Sequence, residues 1–118
     1  MQLQEKEIVW VGSSYDDLLS LPRKVIRDMG HALSGVQLGE FPHNAKPLKG
    51  FSGVQEIRVN FDKDTYRAVY AVNLGDRVFI LHVFQKKSKK GSETPKQDMD
   101  LIRSRLQRAR ELAKELDQ

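Results

Sequence analysis

Tyr66-Arg67-Ala68-Val69-Tyr70-Ala71-Val72-Asn73-Leu74-Gly75-Asp76-Arg77-Val78-Phe79-Ile80-Leu81-His82-Val83-Phe84-Gln85-Lys86-Lys87-Ser88-Lys89 holds two apolar runs separated by Leu74-Gly75-Asp76. The second run leads straight into lysines. β-branched and aromatic residues bounded by a glycine turn predict a pair of strands, about 66–74 and 77–85. The connection is short enough to make them antiparallel neighbours. Only Arg67, Asn73 and His82 interrupt their apolar character, as expected for strands covered on both faces. Cations held at such a sheet suit a phosphate.

Upstream, residues 54–61 form a further strand joined through Asp62-Lys63-Asp64. Alternation places Ile57, Val59 and Phe61 on one face and Glu56, Arg58 and Asn60 on the other. Residues 39–53 contain Gly39, Pro42, Pro47, Gly50 and Gly53 and read as an ordered loop. Its lysines, Lys46 and Lys49, precede the sheet. Glu7-Ile8-Val9-Trp10-Val11 predicts a short first strand ending at Gly12. Ser13 and Ser14, each followed three residues later by an aspartate, offer N-caps for a helix. An apolar stripe of threes and fours from Leu18 to about Leu38 then implies a short helix, a break near Leu21 and a longer helix. Pro22 suits the first turn of that helix, and Gly39 ends it. Thr94-Pro95-Lys96-Gln97 is a helix start with a capping hydroxyl. The stripe Met99, Ile102, Leu106, Ala109, Ala113 and Leu116 carries that helix to the C-terminus.

The chain has 118 residues, 39% hydrophobic and 31% charged, which predicts one domain over 1–118 with a single modest core. Twenty Lys and Arg against sixteen Asp and Glu leave a charge of +4, enough to favour polyanions without choosing among RNA, DNA, a ribosome or an acidic protein. The absence of cysteine removes disulfide frameworks and thiolate metal sites and fits a reducing cytosol. With no signal-like N-terminus and no run of ~18 apolar residues, a soluble, cytoplasmic protein is expected.

The candidate site is cationic. Lys86, Lys87, Lys89 and Lys90 cluster where the last strand leaves the sheet, and Arg58 and Arg67 lie within neighbouring strands. A lysine run at a strand exit is commonly just a solvated turn, and either arginine alone could pair with Glu56 or Asp64. Together they point to phosphate, because guanidinium forks match its oxygens. His82 is commonly a hydrogen-bonded core residue, but it stands among these cations. Arg105 and Arg108, with other basic residues of the last helix, could contact RNA phosphates. No phosphate loop, serine elbow or carboxylate cluster for Mg²⁺ can be assembled, and no metal or other cofactor is expected. Metal-free attack of a 2′-hydroxyl on its own phosphate is the remaining nuclease chemistry, with cations stabilising the pentavalent phosphate. Crowding among Lys86, Arg58 and Arg67 would lower a lysine's pKa towards that of a base.

Leu21-Pro22 with its helix, Ala45-Lys46-Pro47-Leu48-Lys49-Gly50, Glu56-Ile57-Arg58, Tyr66-Arg67-Ala68-Val69-Tyr70, Leu81-His82-Val83-Phe84-Gln85-Lys86-Lys87-Ser88 and Thr94-Pro95-Lys96, in this order, give the chain a likeness over nearly its full length. It resembles the RelE/ParE toxin superfamily and, within it, the phage-derived Gp49-like or HigB-like group. The resemblance implies an α+β, RelE-like fold: a mostly antiparallel twisted sheet of about four strands, N-terminal helices on one face and a long C-terminal helix. It implies a toxin of a type II toxin-antitoxin pair that cleaves messenger RNA on the ribosome without metal. Its partners would be a cognate antitoxin, often a small helix-turn-helix protein, together with ribosome and mRNA, and no membrane. By the same resemblance Arg67 holds the scissile phosphate, Arg58 and Lys86 or Lys87 supply further charge, and Lys46 and Lys49 flank the mouth. The sequence departs from several relatives in having a long helix where they keep acid and base residues near the C-terminus, which leaves His82, Lys86 and Lys87 as the nearby proton-transfer candidates. A ParE-type gyrase inhibitor, or a phage relic that binds only its antitoxin, are the alternatives.

Overall fold

The computed structural model describes residues 4–86 and 94–117. The elements run β1 (Glu7–Trp10), α1 (Ser14–Leu19), α2 (Arg23–Gln37), β2 (Ala45–Pro47), β3 (Val54–Phe61), β4 (Asp64–Leu74), β5 (Arg77–Lys86) and α3 (Lys96–Leu116). The strands form one sheet in the order β1-β5-β4-β3-β2. β1 lies parallel to β5, and every other neighbour is antiparallel. Five strands replace the expected four or so, because part of the 39–53 loop pairs with the edge of β3. Lys46 stands opposite Glu56 there, and Leu48 N–H and Arg58 N–H are both taken up by backbone carbonyls across that edge. The pairing satisfies backbone groups that a loop crossing the sheet edge would leave unmet.

The sheet is covered on both faces. On one, Val25, Met29, Leu33 and Val36 of α2 and Leu18 of α1 pack against Ile57, Ala68, Tyr70, Val78 and Ile80. On the other, Ile102, Leu106, Ala109 and Ala113 of α3 pack against Val54, Val69, Ala71, Phe79 and Leu81. Each large apolar side chain so buried contributes roughly 1.5–3 kcal/mol. The two ends of the predicted stripes, Leu38 and Leu116, are exposed instead, since the helix ends run past the sheet. No helix among the described residues is long and apolar enough to cross a membrane.

The helix ends follow local chemistry, with two departures. Gly39, at φ 86°, closes α2: its N–H reaches Val36 O, and the next N–H, of Glu40, returns to Gly35 O. This pair of bonds satisfies carbonyls that a helix end leaves open. Ser13 and Thr94 were expected to cap with their hydroxyls, yet neither α1 nor α3 has a side-chain cap. Ser13 Oγ donates to Asp17 Oδ2 at 2.7 Å, and the Thr94 hydroxyl is drawn into the candidate site described below.

The β3–β4 hairpin turns through Asp62 and Lys63, with φ of 51° and 71°, the double positive φ that a two-residue type I′ turn demands. Aspartate tolerates this conformation better than lysine does. Lys63→Gly should therefore raise stability by about 0.5–1 kcal/mol, read as a higher thermal midpoint in circular dichroism with an unchanged folded spectrum.

Candidate functional site

A one-residue irregularity in β5 determines which side chains can meet. Val69 pairs with His82 but Tyr70 pairs with Ile80, so Leu81 is an extra residue on its strand. A bulge of this kind reverses the alternation beyond it. Before it, Val78 and Ile80 face α2; after it Val83 does, while Leu81 and Phe84 pack under α3. Lys86, two residues on from Phe84, lies on the α3 face.

The register brings the other cations to that same face. Arg58 is opposite Arg67, and Arg67 is opposite Phe84. Lys46 is opposite Glu56, two residues from Arg58 along β3. Three cations from three strands thus surround one carboxylate, and Lys86 on a fourth strand lies within reach of their fields. Glu56 is 1% exposed; its Oε1 accepts from Arg58 Nε at 2.8 Å, and its Oε2 lies 3.3 Å from Arg67 Nη1. Lys46 Nζ stands 3.9 Å from Oε1. The pairing of either arginine with Glu56, anticipated for each singly, holds for both at once, so the carboxylate does not neutralise the group.

Arg67 is also 1% exposed, and its Nη1 donates to Thr94 Oγ1 at 2.9 Å. Burial pulls its guanidinium below the usual basicity; Glu56 opposes that shift and Arg58 adds to it. It remains charged at neutral pH, because arginine does not deprotonate in proteins. Lys86 is partly exposed. Its ammonium is pushed below the ordinary lysine value, first by desolvation and then by the fields of Arg67 and Arg58, with Lys46 adding to them and Glu56 opposing. A cavity of about 500 Å³ opens over this group, lined by Lys46, Lys49, Glu56, Arg58, Arg67, Thr94 and Met99.

The other expected residues fall elsewhere. His82 is on the α3 face but does not line the cavity. Its Nε2 lies 2.7 Å from Asp98 Oδ1, and its ring stacks on Phe84 at 4.4 Å. It ties the first turn of α3 to the sheet. Arg105, partly exposed, is engaged within the fold: Nη1 donates to Leu81 O and Nη2 to Ser13 Oγ, both at 2.9 Å. It serves the carbonyl of the bulged residue and fastens α3 to the β1–α1 corner. Arg108 is exposed further along α3, 3.6 Å from Glu115, and does not line the cavity. Lys87, Lys89 and Lys90 lie outside the described residues. Glu56, named in the sequence only as a possible ion-pair partner, proves central; Thr94 and Met99 reach the cavity from a helix start whose local pattern signalled capping alone. Among the described residues no three His, Asp or Glu side chains stand close enough together to hold a metal ion.

Residues 16–107 match the family described as phage-derived protein Gp49-like. No match was found among curated proteins. Among solved structures, a double arginine-to-alanine mutant of the E. coli toxin RelE in the free state superposes with a TM-score of 0.61 at 15% identity, covering 89% of this chain and 98% of that one. The toxin-antitoxin complex RelBE2 from Mycobacterium tuberculosis gives 0.50 at 22% identity, covering 68% and 96%. The fold is therefore RelE-like, with a five-stranded sheet and a long C-terminal helix.

Two substitutions test the construction of the site. Glu56→Gln leaves Arg67 buried without its counter-charge and should cost about 3–5 kcal/mol in urea unfolding. Adding Arg67→Gln should return part of that loss, since the two residues are coupled. Arg105→Leu leaves the Leu81 carbonyl unmet and should cost about 1–3 kcal/mol, with amide exchange accelerated around residues 80–82.

Proposed function

The chain belongs to the phage-derived Gp49-like family, and on that premise we propose that it is the toxin of a type II toxin-antitoxin pair, cleaving messenger RNA on the ribosome without a metal. The observation that carries this reading is the convergence of Arg58, Arg67 and Lys46 on one open cavity with a single buried carboxylate among them, and with Lys86 near enough to feel their fields. That excess of positive charge suits a phosphodiester gaining negative charge in its transition state.

The reaction is a transesterification. The 2′-oxygen bonds to phosphorus, the bond from phosphorus to the 5′-oxygen breaks, and a 2′,3′-cyclic phosphate is left. Arg58 holds a non-bridging oxygen and Arg67, buried at the cavity floor, stabilises the phosphate through its field; Glu56 already fixes both guanidinium groups, so little reorganisation is needed as charge develops. Neutral Lys86 takes the 2′-hydroxyl proton; its lowered pKa makes the free amine more abundant at a given pH than an ordinary lysine would supply. The leaving oxygen takes its proton from the solvent to which the cavity opens, and Lys46 and Lys49 guide the strand at the mouth. His82, through Asp98, keeps the start of α3 and with it Thr94 in place beside Arg67. A cognate antitoxin, of the small helix-turn-helix kind, would neutralise the protein in the cytoplasm by covering this cavity or blocking its access to the ribosome.

Primer extension on messages translated with the purified protein should show cuts that fall by about 10²–10³-fold in Arg67→Ala and in Lys86→Ala. Inhibited DNA supercoiling with intact messages would instead mark a gyrase inhibitor, and neither effect would mark a relic that binds only its antitoxin. The single-turnover rate should rise with pH and level off below the ordinary lysine value of 10.5. Arg58→Gln removes a cation that lowers the Lys86 pKa, so the rising limb should move to higher pH.

A further inference from the structure

Beside the catalytic cavity lies a larger one of about 640 Å³, between α2 and the 40–44 loop, lined among others by Arg27, His31, Phe41, His43, Arg58 and Asn60. Its size falls within the ~300–1,000 Å³ of small-molecule sites. Arg58 lines both cavities, so a strand whose phosphate rests on that guanidinium passes directly from one to the other.

Its chemistry differs from that of its neighbour. Asp28 and Glu40 also line it: Asp28 is paired with Lys24 at 2.9 Å, and Glu40 lies so close over Gly35 that a Cβ there would sit 2.8 Å from its Oε2. A wall of mixed charge does not favour a bare phosphate. It suits a neutral group that stacks and accepts directional hydrogen bonds. Phe41 offers the stacking surface, being 55% exposed, which is costly for a phenyl ring that covers nothing. His31 and His43 are exposed imidazoles, each able to donate and to accept. Asn60 Oδ1 accepts from Thr65 Oγ1 at 2.9 Å, which orients its amide N–H groups as donors. An aromatic platform with such polar edges is how proteins take up an unstacked base of single-stranded RNA.

We infer that this groove between α2 and the 40–44 loop is a nucleoside subsite, which receives the base flanking the scissile bond and so contributes to the choice of cleavage site. The inference rests on the proposed RNA cleavage but is tested apart from it. The probe is a fluorescent single-stranded RNA bearing a 2′-deoxy residue at the cut position, in full length and with one to three nucleotides removed from either end. By anisotropy, Phe41→Ala and His43→Ala should each weaken binding of the full-length RNA by about 5- to 100-fold. They should leave unchanged the binding of RNA trimmed at the end that enters the groove. In ribosome-bound cleavage the same variants should redistribute the cuts among message positions. Phe41 is exposed, so its thermal midpoint should match that of the unsubstituted protein and exclude misfolding.

Equal affinity of Phe41→Ala and the unsubstituted protein for the full-length RNA would overturn the subsite, as would absence of RNA binding by the unsubstituted protein. If Phe41→Ala loses only the neutralising antitoxin and keeps RNA affinity, the groove is a protein interface and the proposal is wrong. Failure of the nuclease reading looks different: the unsubstituted protein would cut no message, while loss of RNA affinity in Phe41→Ala would still support the groove as an RNA site.

Discussion

The buried carboxylate of Glu56 is the constraint on which the site depends. Two arginines share it, one to each oxygen, and a lysine approaches from β2. An isolated guanidinium at the depth of Arg67 would be strongly disfavoured, and a fully neutralised one would have little field to offer a phosphate. One acid among several cations meets both conditions. It keeps Arg67 folded into the sheet and leaves the cavity positive, and it does so with β-sheet backbone holding every participant in place.

Bringing Lys86 to the same face as Arg67 depends on backbone geometry rather than charge. Without the extra residue at Leu81, strict alternation would turn Lys86 with Ile80 towards α2 and away from Arg67. The bulge exposes a carbonyl to new surroundings, and Arg105 of α3 satisfies it while also reaching Ser13. The neighbouring carbonyl of Ile80 is bound by Val11 N–H and by Ser14 Oγ. Elements distant in sequence therefore meet at residues 80–81, and Arg105, read from the sequence as an RNA contact, is bonded into the scaffold there.

The start of α3 has a double part. Its apolar stripe completes the second core, and its first turn sets Thr94 against Arg67 and Asp98 against His82. The cationic face is thus partly roofed, with the opening left on the side of β2 and β3. Arg58 stands at that opening, where this cavity and the α2 groove share a wall.

Periodicity, turn chemistry and composition alone determined most of the architecture. The threes and fours of α2 and α3, the glycine that ends α2, the two hairpins and the inventory of cations are local facts, each readable within a few residues. The RelE-like resemblance, carried by short motifs in order, supplied the class of fold. What only the tertiary structure decided is which of these pieces meet. β2 forms because an edge of β3 is available to it; Thr94 gives up a cap because Arg67 lies within reach; Lys86 joins Arg67 because one residue too many in β5 reverses its face. Each of these depends on a partner at least 8 residues away in the chain or on a single-residue shift in pairing. Neither leaves a trace in local propensity, since a bulge changes which face a side chain takes without changing the residues that flank it.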